Sequence, residues 1–373
     1  MKQETIINAV LELLRSGMWN RKPQNKYFEN LSSKDWQRIF ALIRMQTVVG
    51  ICFQPVLELP EEVRPPQVLL LQWAAAVNYI KGTNRKHRQA WNRIDEILSE
   101  ADIKPVVIKG MSAAESYPEP ELRQSGDIDL YFPEKYKEAL EQFTLHNVEI
   151  DYSEEHDVIH VNGIKVELHH NFVNLPFDIQ LPHSKEEIEV FDTQVRTSDV
   201  NSNALQLLAH PAKHLFEQGI GIRHLCDWAA YLNKHKDEID TEAVINEAKR
   251  LGMYKFVCCF TNMACTYLGL KLEKESPWLA EADASLSEYI FSDIILRGDC
   301  GNITDEMRKQ WVNYYIKSTI RILHYYPCWP ALFWKWIPRK MASRMYNIMK
   351  GHPYGVHEHK YKYPQNPSVL PSL

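Results

Sequence analysis

The chain has 373 residues, of which 45% are hydrophobic and 24% charged, and its formal net charge is −5 at pH 7. This composition predicts buried cores and two or three domains, and it excludes a disordered or fibrous protein. The charge is uneven: residues 307–373 carry eleven Lys and Arg against one acid, whereas the first 306 residues have a balance of −15. Such an acidic body argues against a long nucleic acid as substrate, because polyanion binding needs a broad basic surface.

Cysteine usage and hydropathy bear on the compartment. Seven cysteines are scattered without a CxxC pair, which favours a reducing environment over a disulfide framework. The N-terminal residues lack a signal-peptide pattern, and no apolar run reaches the ~20 residues that span a bilayer. We therefore expect a cytoplasmic protein.

Residues 1–98 are predicted to form an N-terminal helical region. Apolar side chains recur at three- and four-residue steps over residues 6–14, and Ser33 lies in a helix-start pattern. A longer helix is predicted over residues 66–99. Because this region has no cluster of catalytic residue types, we expect it to support the rest of the protein.

Residues 99–195 change pattern and are predicted to form the catalytic core. A short apolar run ends at Ile108, a Lys109-Gly110 turn follows, and a second strand contains Asp127. A helix is predicted over residues 134–146 and a further strand over residues 148–152. These elements alternate as they do in a small α/β or α+β unit.

A predicted hairpin completes this unit. Residues 157–161 and 164–169 form its strands around Asn162-Gly163, which is the preferred sequence for a type I′ turn. The predicted fold class is therefore α+β, with a small mixed-sheet core flanked by N-terminal and C-terminal helical regions.

Helical periodicity returns over residues 196–350, the predicted C-terminal helical region. Its apolar-periodic segments lie at residues 204–216, 225–232, 241–250, 256–268 and 284–297. Residues 351–373 are rich in Pro and Tyr and are predicted to form an irregular tail.

A basic, aromatic-rich segment lies within that C-terminal region. Residues 325–340 interleave Tyr and Trp with Lys and Arg, a composition that can stack on bases or lie at a membrane surface. The sequence favours packing against the acidic body, and membrane-surface contact through this basic aromatic C-terminal region is the weaker alternative.

The densest chemistry lies in residues 125–132. Side chains alternate across a strand, so Asp127 and Asp129 project from one face while Ile128 and Leu130 are buried on the other. Two neighbouring carboxylates repel unless a cation lies between them. Mg²⁺ bound together with nucleotide phosphates is a common natural solution.

Glu167 supplies a third predicted carboxylate. It shares a hairpin face with Lys165 and His169, and that strand can lie beside the strand of Asp127 and Asp129. Two divalent ions held by the three acids would align the attacking and leaving oxygens of a phosphoryl or nucleotidyl transfer. The alternative is an exposed Glu167 paired with Lys165.

The phosphate-binding side is predicted at the Lys109-Gly110 turn. Glycine allows close approach of an anion, and the N–H groups of the following helix add a positive end. Ser112 can contact a triphosphate, and the planar fork of Arg123 can neutralise its charge. For Arg123 the alternative is a structural salt bridge to one of the glutamates just before it.

Four histidines have two interpretations each. His169 and His170 can assist a metal or an acceptor, but structural roles are favoured. His210 and His214 share a helical face at the i, i+4 spacing that can bind zinc. We favour that face as the wall of the cleft opposite the carboxylates.

The same downstream helices offer cations for a phosphate. Lys213 or Arg223 would lie near it if these helices line the cleft. The alternative is plain helix packing, with Asp227 paired to Arg223 at i, i+4.

Together these features resemble the nucleotidyltransferase superfamily that includes DNA polymerase beta, and within it a group of uncharacterised bacterial nucleotidyltransferase-like proteins. The resemblance covers residues 100–175 and extends more weakly into the downstream helices. Its motifs are a Lys-Gly turn, a Tyr-Pro pair, an Arg, a Gly-Asp-Ile-Asp-Leu strand and a Glu-Leu-His strand. The matching residues are Lys109, Gly110, Tyr117, Pro118, Arg123, Gly126, Asp127, Asp129, Glu167, Leu168 and His169.

The resemblance implies a division of roles among these residues. The family's catalytic and metal-binding acids carry over to Asp127, Asp129 and Glu167, and its phosphate-binding turn carries over to Gly110 with Ser112. The superfamily usually has Gly-Ser or Gly-Gly at that turn, whereas Met111 follows the glycine here.

The expected function is that of a Mg²⁺-dependent nucleotidyltransferase. It would use two Mg²⁺ ions to move a nucleoside monophosphate from an NTP, with ATP expected, to an unidentified small-molecule or protein acceptor, releasing pyrophosphate. The alternatives are a catalytically inactive binding module of the same fold and a toxin–antitoxin component. The sequence leaves the acceptor, the base preference and the oligomeric state open.

Overall fold

The N-terminal region is a set of four helices. The computed structural model describes residues 2–153, 156–172, 179, 185–217, 219–298, 320, 323–335, 338 and 342. Ser32 caps the second helix through a capping box with Asp35, as the helix-start pattern indicates. The helices are α1 (Lys2–Met18), α2 (Ser33–Met45), α3 (Val49–Glu58) and α4 (Gln67–Ser99), which confirms the predicted helical character.

A seven-stranded mixed sheet follows. Its strands are β1 (Val106–Ile108), β2 (Ile128–Tyr131), β3 (Ile150–Asp151), β4 (His156–Val161), β5 (Ile164–His169), β6 (Lys185–Val190) and β7 (Thr193–Ser198). Helices α5 (Gly110–Ala114) and α6 (Tyr136–Leu145) lie between them in the chain. The strand order is β3-β4-β5-β2-β1-β7-β6, with β2–β5 and β1–β7 parallel and the other pairs antiparallel. The α+β class with a mixed sheet is confirmed.

Two hairpins form part of the sheet, and one of them was not predicted. The β4–β5 hairpin turns at Asn162 and Gly163 with φ of 52° and 76°, as the type I′ prediction requires. The β6–β7 hairpin turns at Phe191 and Asp192, which also have positive φ, of 54° and 56°. No glycine marks that second turn, and four of the six β6 residues are charged, so neither the turn nor the composition of β6 indicates a hairpin.

Five helices complete the described fold. They are α7 (Val200–Glu217), α8 (Ile222–His235), α9 (Thr241–Arg250), α10 (Tyr254–Met263) and α11 (Ala284–Arg297). The predicted bounds of α9 and α11 are confirmed, and α10 continues as one π turn over Ala264–Leu268. Among the described helices, none has the length and apolarity to cross a bilayer.

The sheet separates two hydrophobic cores. On one face, Leu130 and Leu168 pack with Trp91 of α4 and Phe143 of α6. The larger core joins α1–α3 to α7–α11 and includes β1 residues from the other face. Because side chains alternate along a strand, the residues next to Leu130 and Leu168 face that second layer of helices.

The described part of the basic aromatic segment packs on the body. Tyr325 and Trp329 are buried, and the Trp329 indole N–H donates to the Leu251 carbonyl at 2.7 Å. The prediction of packing is therefore confirmed for the buried residues Tyr325, Cys328, Trp329 and Leu332, whereas Trp334 is exposed. The predicted irregular tail, residues 351–373, lies outside the described residues.

Candidate active site

Two carboxylates meet across neighbouring parallel strands. The β2–β5 register places Asp129 directly opposite Glu167. Both are on the face turned away from the Leu130 and Leu168 side chains. The predicted juxtaposition of the aspartate strand with the Glu167 strand is thus confirmed.

His169 joins the two acids. Its Nε2 atom lies 2.7 Å from Asp129 Oδ1 and 3.5 Å from Glu167 Oε2. Ligand atoms of the three residues lie within 4.8 Å of one another, and within the described part of the chain they form the group whose donors converge in this way. Two carboxylates and an imidazole are a suitable donor set for a divalent cation.

Asp127 lies beside this triad and not within it. It precedes β2 and lines the cleft, but its carboxylate is not one of the converging ligand groups. Burial, and then the negative charges of Asp129 and Glu167, raise the pKa of Asp127 to about 7. The two aspartates of the Asp-x-Asp motif therefore differ in their environment.

The triad acids have counter-ions from the chain itself. Lys109 Nζ lies 2.8 Å from Asp129 Oδ1, and Lys165 Nζ donates to Glu167 Oε1. Burial alone would raise the pKa of Asp129, but Lys109 and His169 outweigh it and lower that pKa. Burial likewise opposes the hydrogen bonds that lower the pKa of Glu167, which come from His156 and His169. Both acids are ionised in this arrangement.

A cleft opens in front of these groups. Its sheet side includes Lys109, Gly110, Asp127 and Asp129, and its helical side comes from α7 and α8. The residues of the helical side are Gln206, Leu207, His210, Pro211, Arg223, His224 and Asp227. His210 therefore lines the cleft with the carboxylates, as predicted, whereas His214 is not among the lining residues.

Histidines cluster on that wall. The rings of His210 and His214 lie 4.3 Å apart between centroids, and those of His210 and His224 lie 5.9 Å apart. Burial, with the nearby charge of Lys109, holds the pKa of His210 well below its usual value, so this imidazole is neutral. Lys213, offered from the sequence as a phosphate contact, is buried and is not among the residues that line the cleft.

Arg123 lies at the base of the cleft in a buried ion pair. Its Nε and Nη2 atoms each donate to an Asp227 oxygen at 2.7 Å, and Nη1 donates to Ser125. The Tyr117 hydroxyl donates to the same Asp227 carboxylate at 2.7 Å. The partner of Arg123 is thus an acid 104 residues away, and the pair ties the loop before β2 to α8. A phosphate-binding role for Arg123 stays a prediction.

The turn residues occupy different places. Gly110 lines the cleft, and a Cβ atom there would lie 3.3 Å from the Asp127 carbonyl oxygen, so a small residue suits this position. Met111 is buried in the core beneath the sheet. Ser112 is buried as well. Its hydroxyl accepts a hydrogen bond from the Thr197 hydroxyl and donates one to Asn203 Oδ1. Its predicted contact with a triphosphate stays a prediction.

The structure places His169 in contact with Asp129, and the sequence did not reveal the partner of Arg123. The signal for His169 was present, because it lies two residues after Glu167 on the same strand face. The signal for Asp227 was absent, since nothing local in the sequence connects it with Arg123. Gln206 and His224 also line the cleft without having been singled out.

The fold and the acidic centre define a class. A mixed sheet that sets an Asp-x-Asp strand beside a Glu-bearing strand, under a helical wall, agrees with the nucleotidyltransferase-like fold that the motifs implied. The chain belongs to a family of uncharacterised nucleotidyltransferases, whose sequence profile matches residues 32–269. That match spans the sheet, the acidic centre and both helices of the wall. No curated protein and no solved structure matches the chain.

Proposed function

We propose that the protein is a metal-dependent nucleotidyltransferase. It moves a nucleoside monophosphate from an NTP to a hydroxyl group of a small molecule or a protein and releases pyrophosphate. The observation that carries this proposal is the convergence of Asp129, Glu167 and His169 at a cleft that Asp127 also lines.

The residues present fit a divalent cation. Two ionised carboxylates and an imidazole converge, and the sheet register sets the two acids opposite one another. Asp129, Glu167 and His169 would hold the ion, with Mg²⁺ the expected one. When bound, such a cation neutralises phosphate charge and lowers the pKa of a coordinated hydroxyl.

The chain's own groups would orient the reactants. Lys109 and Arg223 present positive charge to the cleft, which suits the phosphates of an NTP. Asp127 would accept the proton of the acceptor hydroxyl. The acceptor oxygen bonds to the α-phosphorus as the bond from that phosphorus to the α,β-bridging oxygen breaks, and pyrophosphate leaves with the electron pair. The helical wall would exclude water and hold the leaving group.

Turnover with labelled nucleotides tests the proposal. Purified protein is incubated with Mg²⁺ or Mn²⁺, each α-labelled NTP, and pools of small hydroxyl compounds and proteins. We expect pyrophosphate release with label transfer, lost in Asp129→Asn and retained in Glu187→Gln. Glu187 is a matched control because it is an exposed acid of the same sheet on the distant strand β6. Equal pyrophosphate release by wild type and Asp129→Asn contradicts the proposal.

One observation favours a second candidate, a binding module without turnover. Lys109 and Lys165 already pair with Asp129 and Glu167, so the chain itself neutralises these two acids without an added ion. This candidate predicts nucleotide binding that is indifferent to divalent cations. Calorimetry with ATP in Mg²⁺ and in EDTA separates the two, since the enzyme requires the cation for tight binding.

A further inference from the structure

Two lysine side chains form ion pairs with the carboxylates that would hold a metal cation. Lys109 Nζ lies 2.8 Å from Asp129 Oδ1, and Lys165 Nζ donates to Glu167 Oε1. The lysine side chains are only 17% and 15% exposed. Each triad acid therefore holds an ammonium group that is shielded from water, and shielding strengthens such an ion pair.

Lys109, which makes the contact to Asp129, has an unusual backbone conformation. Its φ is 59° and its ψ is −128°, a combination that glycine adopts readily and other residues rarely. Strained residues persist where the surrounding structure demands them, and they concentrate at functional sites. At this strained position the Lys109 side chain places its ammonium group 2.8 Å from Asp129 Oδ1.

The charge of the centre suits one divalent ion. Asp127, Asp129 and Glu167 contribute three negative charges when ionised, and Lys109 and Lys165 return two positive ones. Two divalent ions would add four positive charges within a few ångströms of these ammonium groups, and like charges at that distance repel strongly. One divalent ion places two added positive charges beside the ammonium groups instead of four, and so causes less of this repulsion.

The donor geometry agrees with that count. Lys109 and Lys165 each engage one oxygen of a triad acid, Asp129 Oδ1 and Glu167 Oε1. His169 Nε2 faces both acids. In the described chain, Asp129, Glu167 and His169 make one converging ligand set.

We propose that this centre binds a single divalent cation, with Lys109 and Lys165 supplying the charge that a second ion provides in a two-metal centre. The inference rests on the proposed function, because it concerns the cation that accompanies the nucleotide. This single ion replaces the two Mg²⁺ ions that were expected on the basis of the sequence. The lysines act as fixed cations and transfer no proton.

Counting bound Mn²⁺ tests this. Full-length protein is saturated with α,β-methylene ATP and titrated with Mn²⁺, and the electron paramagnetic resonance signal of free Mn²⁺ gives the number of ions bound per complex. We expect one ion for the wild type and two for the Lys109→Met, Lys165→Met double variant. Lys104→Met is the matched control, because that lysine is 60% exposed just before β1, and it should bind one ion.

Each outcome is decisive. Two ions in the wild type, or one ion in a folded double variant, overturns the proposal while leaving a metal-dependent nucleotidyltransferase intact. No bound ion in the wild type overturns both this proposal and the proposed function. If the double variant does not fold, Lys109→Gln and Lys165→Gln replace it as single changes, and the wild-type count still decides whether one ion or two are held.

Discussion

At the scale of single residues, neighbours give chemically identical carboxylates different properties. Asp127 and Asp129 are two positions apart, yet burial and adjacent acids raise the pKa of the first, whereas Lys109 and His169 lower that of the second. Asp227 also has a lowered pKa, because the fork of Arg123 outweighs the effect of burial. These differences lead to two predictions with opposite signs.

Asp127→Asn should stabilise the metal-free protein at high pH. The folded-state pKa of Asp127, about 7, is above the ordinary aspartate value of 3.8, so its ionisation opposes folding increasingly as pH rises from about 4 to 7. We expect a gain of about 1–3 kcal/mol in the free energy of unfolding at pH 8. Urea denaturation in EDTA at pH 8 and pH 4 measures it, and an effect of the same size at both pH values would refute the assignment.

Asp227→Asn should lower the free energy of unfolding. It leaves the Arg123 guanidinium buried without its partner, which costs about 3–5 kcal/mol at pH 7. A carboxyl with a lowered pKa contributes stability above its unfolded value and loses it as pH falls, so the difference should shrink below about pH 4. Denaturant titrations across this pH range provide the measurement.

Asp192→Asn is the control for that ion-pair test. Its carboxylate is 81% exposed and contacts Arg88 at 3.1 Å, so its loss should cost less than about 1 kcal/mol. Similar losses in the free energy of unfolding for Asp227→Asn and Asp192→Asn would show that the buried pair of Arg123 and Asp227 stabilises the protein no more than an exposed ion pair does.

At the scale of elements, local sequence determined what was predictable. The helices were found from apolar periodicity, and the β4–β5 hairpin was found from Asn162-Gly163. The β6–β7 hairpin was missed because Phe191 and Asp192 adopt positive φ without a glycine. Long-range pairs such as Arg123 with Asp227 follow from packing, which local pattern does not encode. The acids of the candidate site were predictable because strand alternation is local.

Two glycines test the role of backbone conformation in these elements. Gly163 has φ of +76° in the hairpin turn, whereas Gly82 lies within α4, and an added Cβ would meet no atom within 4 Å at either position. Gly163→Ala should cost about 1–2 kcal/mol, because an L residue is strained there. Gly82→Ala should gain about 0.5–1 kcal/mol, because alanine is the better helix former. Thermal melts compare them, and equal signs would contradict this account.

At the scale of the whole molecule, helices from both ends of the described chain share one core. That core joins α1–α3 to α7–α11 and includes Tyr325 and Trp329 near the C-terminal end of the described chain. The helical wall of the cleft belongs to it, so the site depends on segments distant in sequence. The domain boundaries expected from the sequence, at residues 98, 195 and 350, stay predictions.

Two tryptophans test whether the C-terminal segment belongs to this core. Trp329 is fully buried and donates to the Leu251 carbonyl, whereas Trp334, five residues on, is 66% exposed. Trp329→Ala should lower the free energy of unfolding by about 3–5 kcal/mol. Trp334→Ala should change it by less than about 1 kcal/mol. Chemical denaturation measures both, and matching small effects would show that the segment is not part of the cooperative core.

The central claim is that Asp129 helps to hold a divalent cation that accompanies a nucleotide. Its most direct test is the affinity of the protein for α,β-methylene ATP in Mn²⁺, measured by calorimetry for the wild type, Asp129→Asn and the Glu187→Gln control. We predict that Asp129→Asn weakens binding by at least about tenfold, whereas Glu187→Gln leaves it unchanged. Equal affinities for the wild type and Asp129→Asn, or no binding by folded wild-type protein, would contradict the claim.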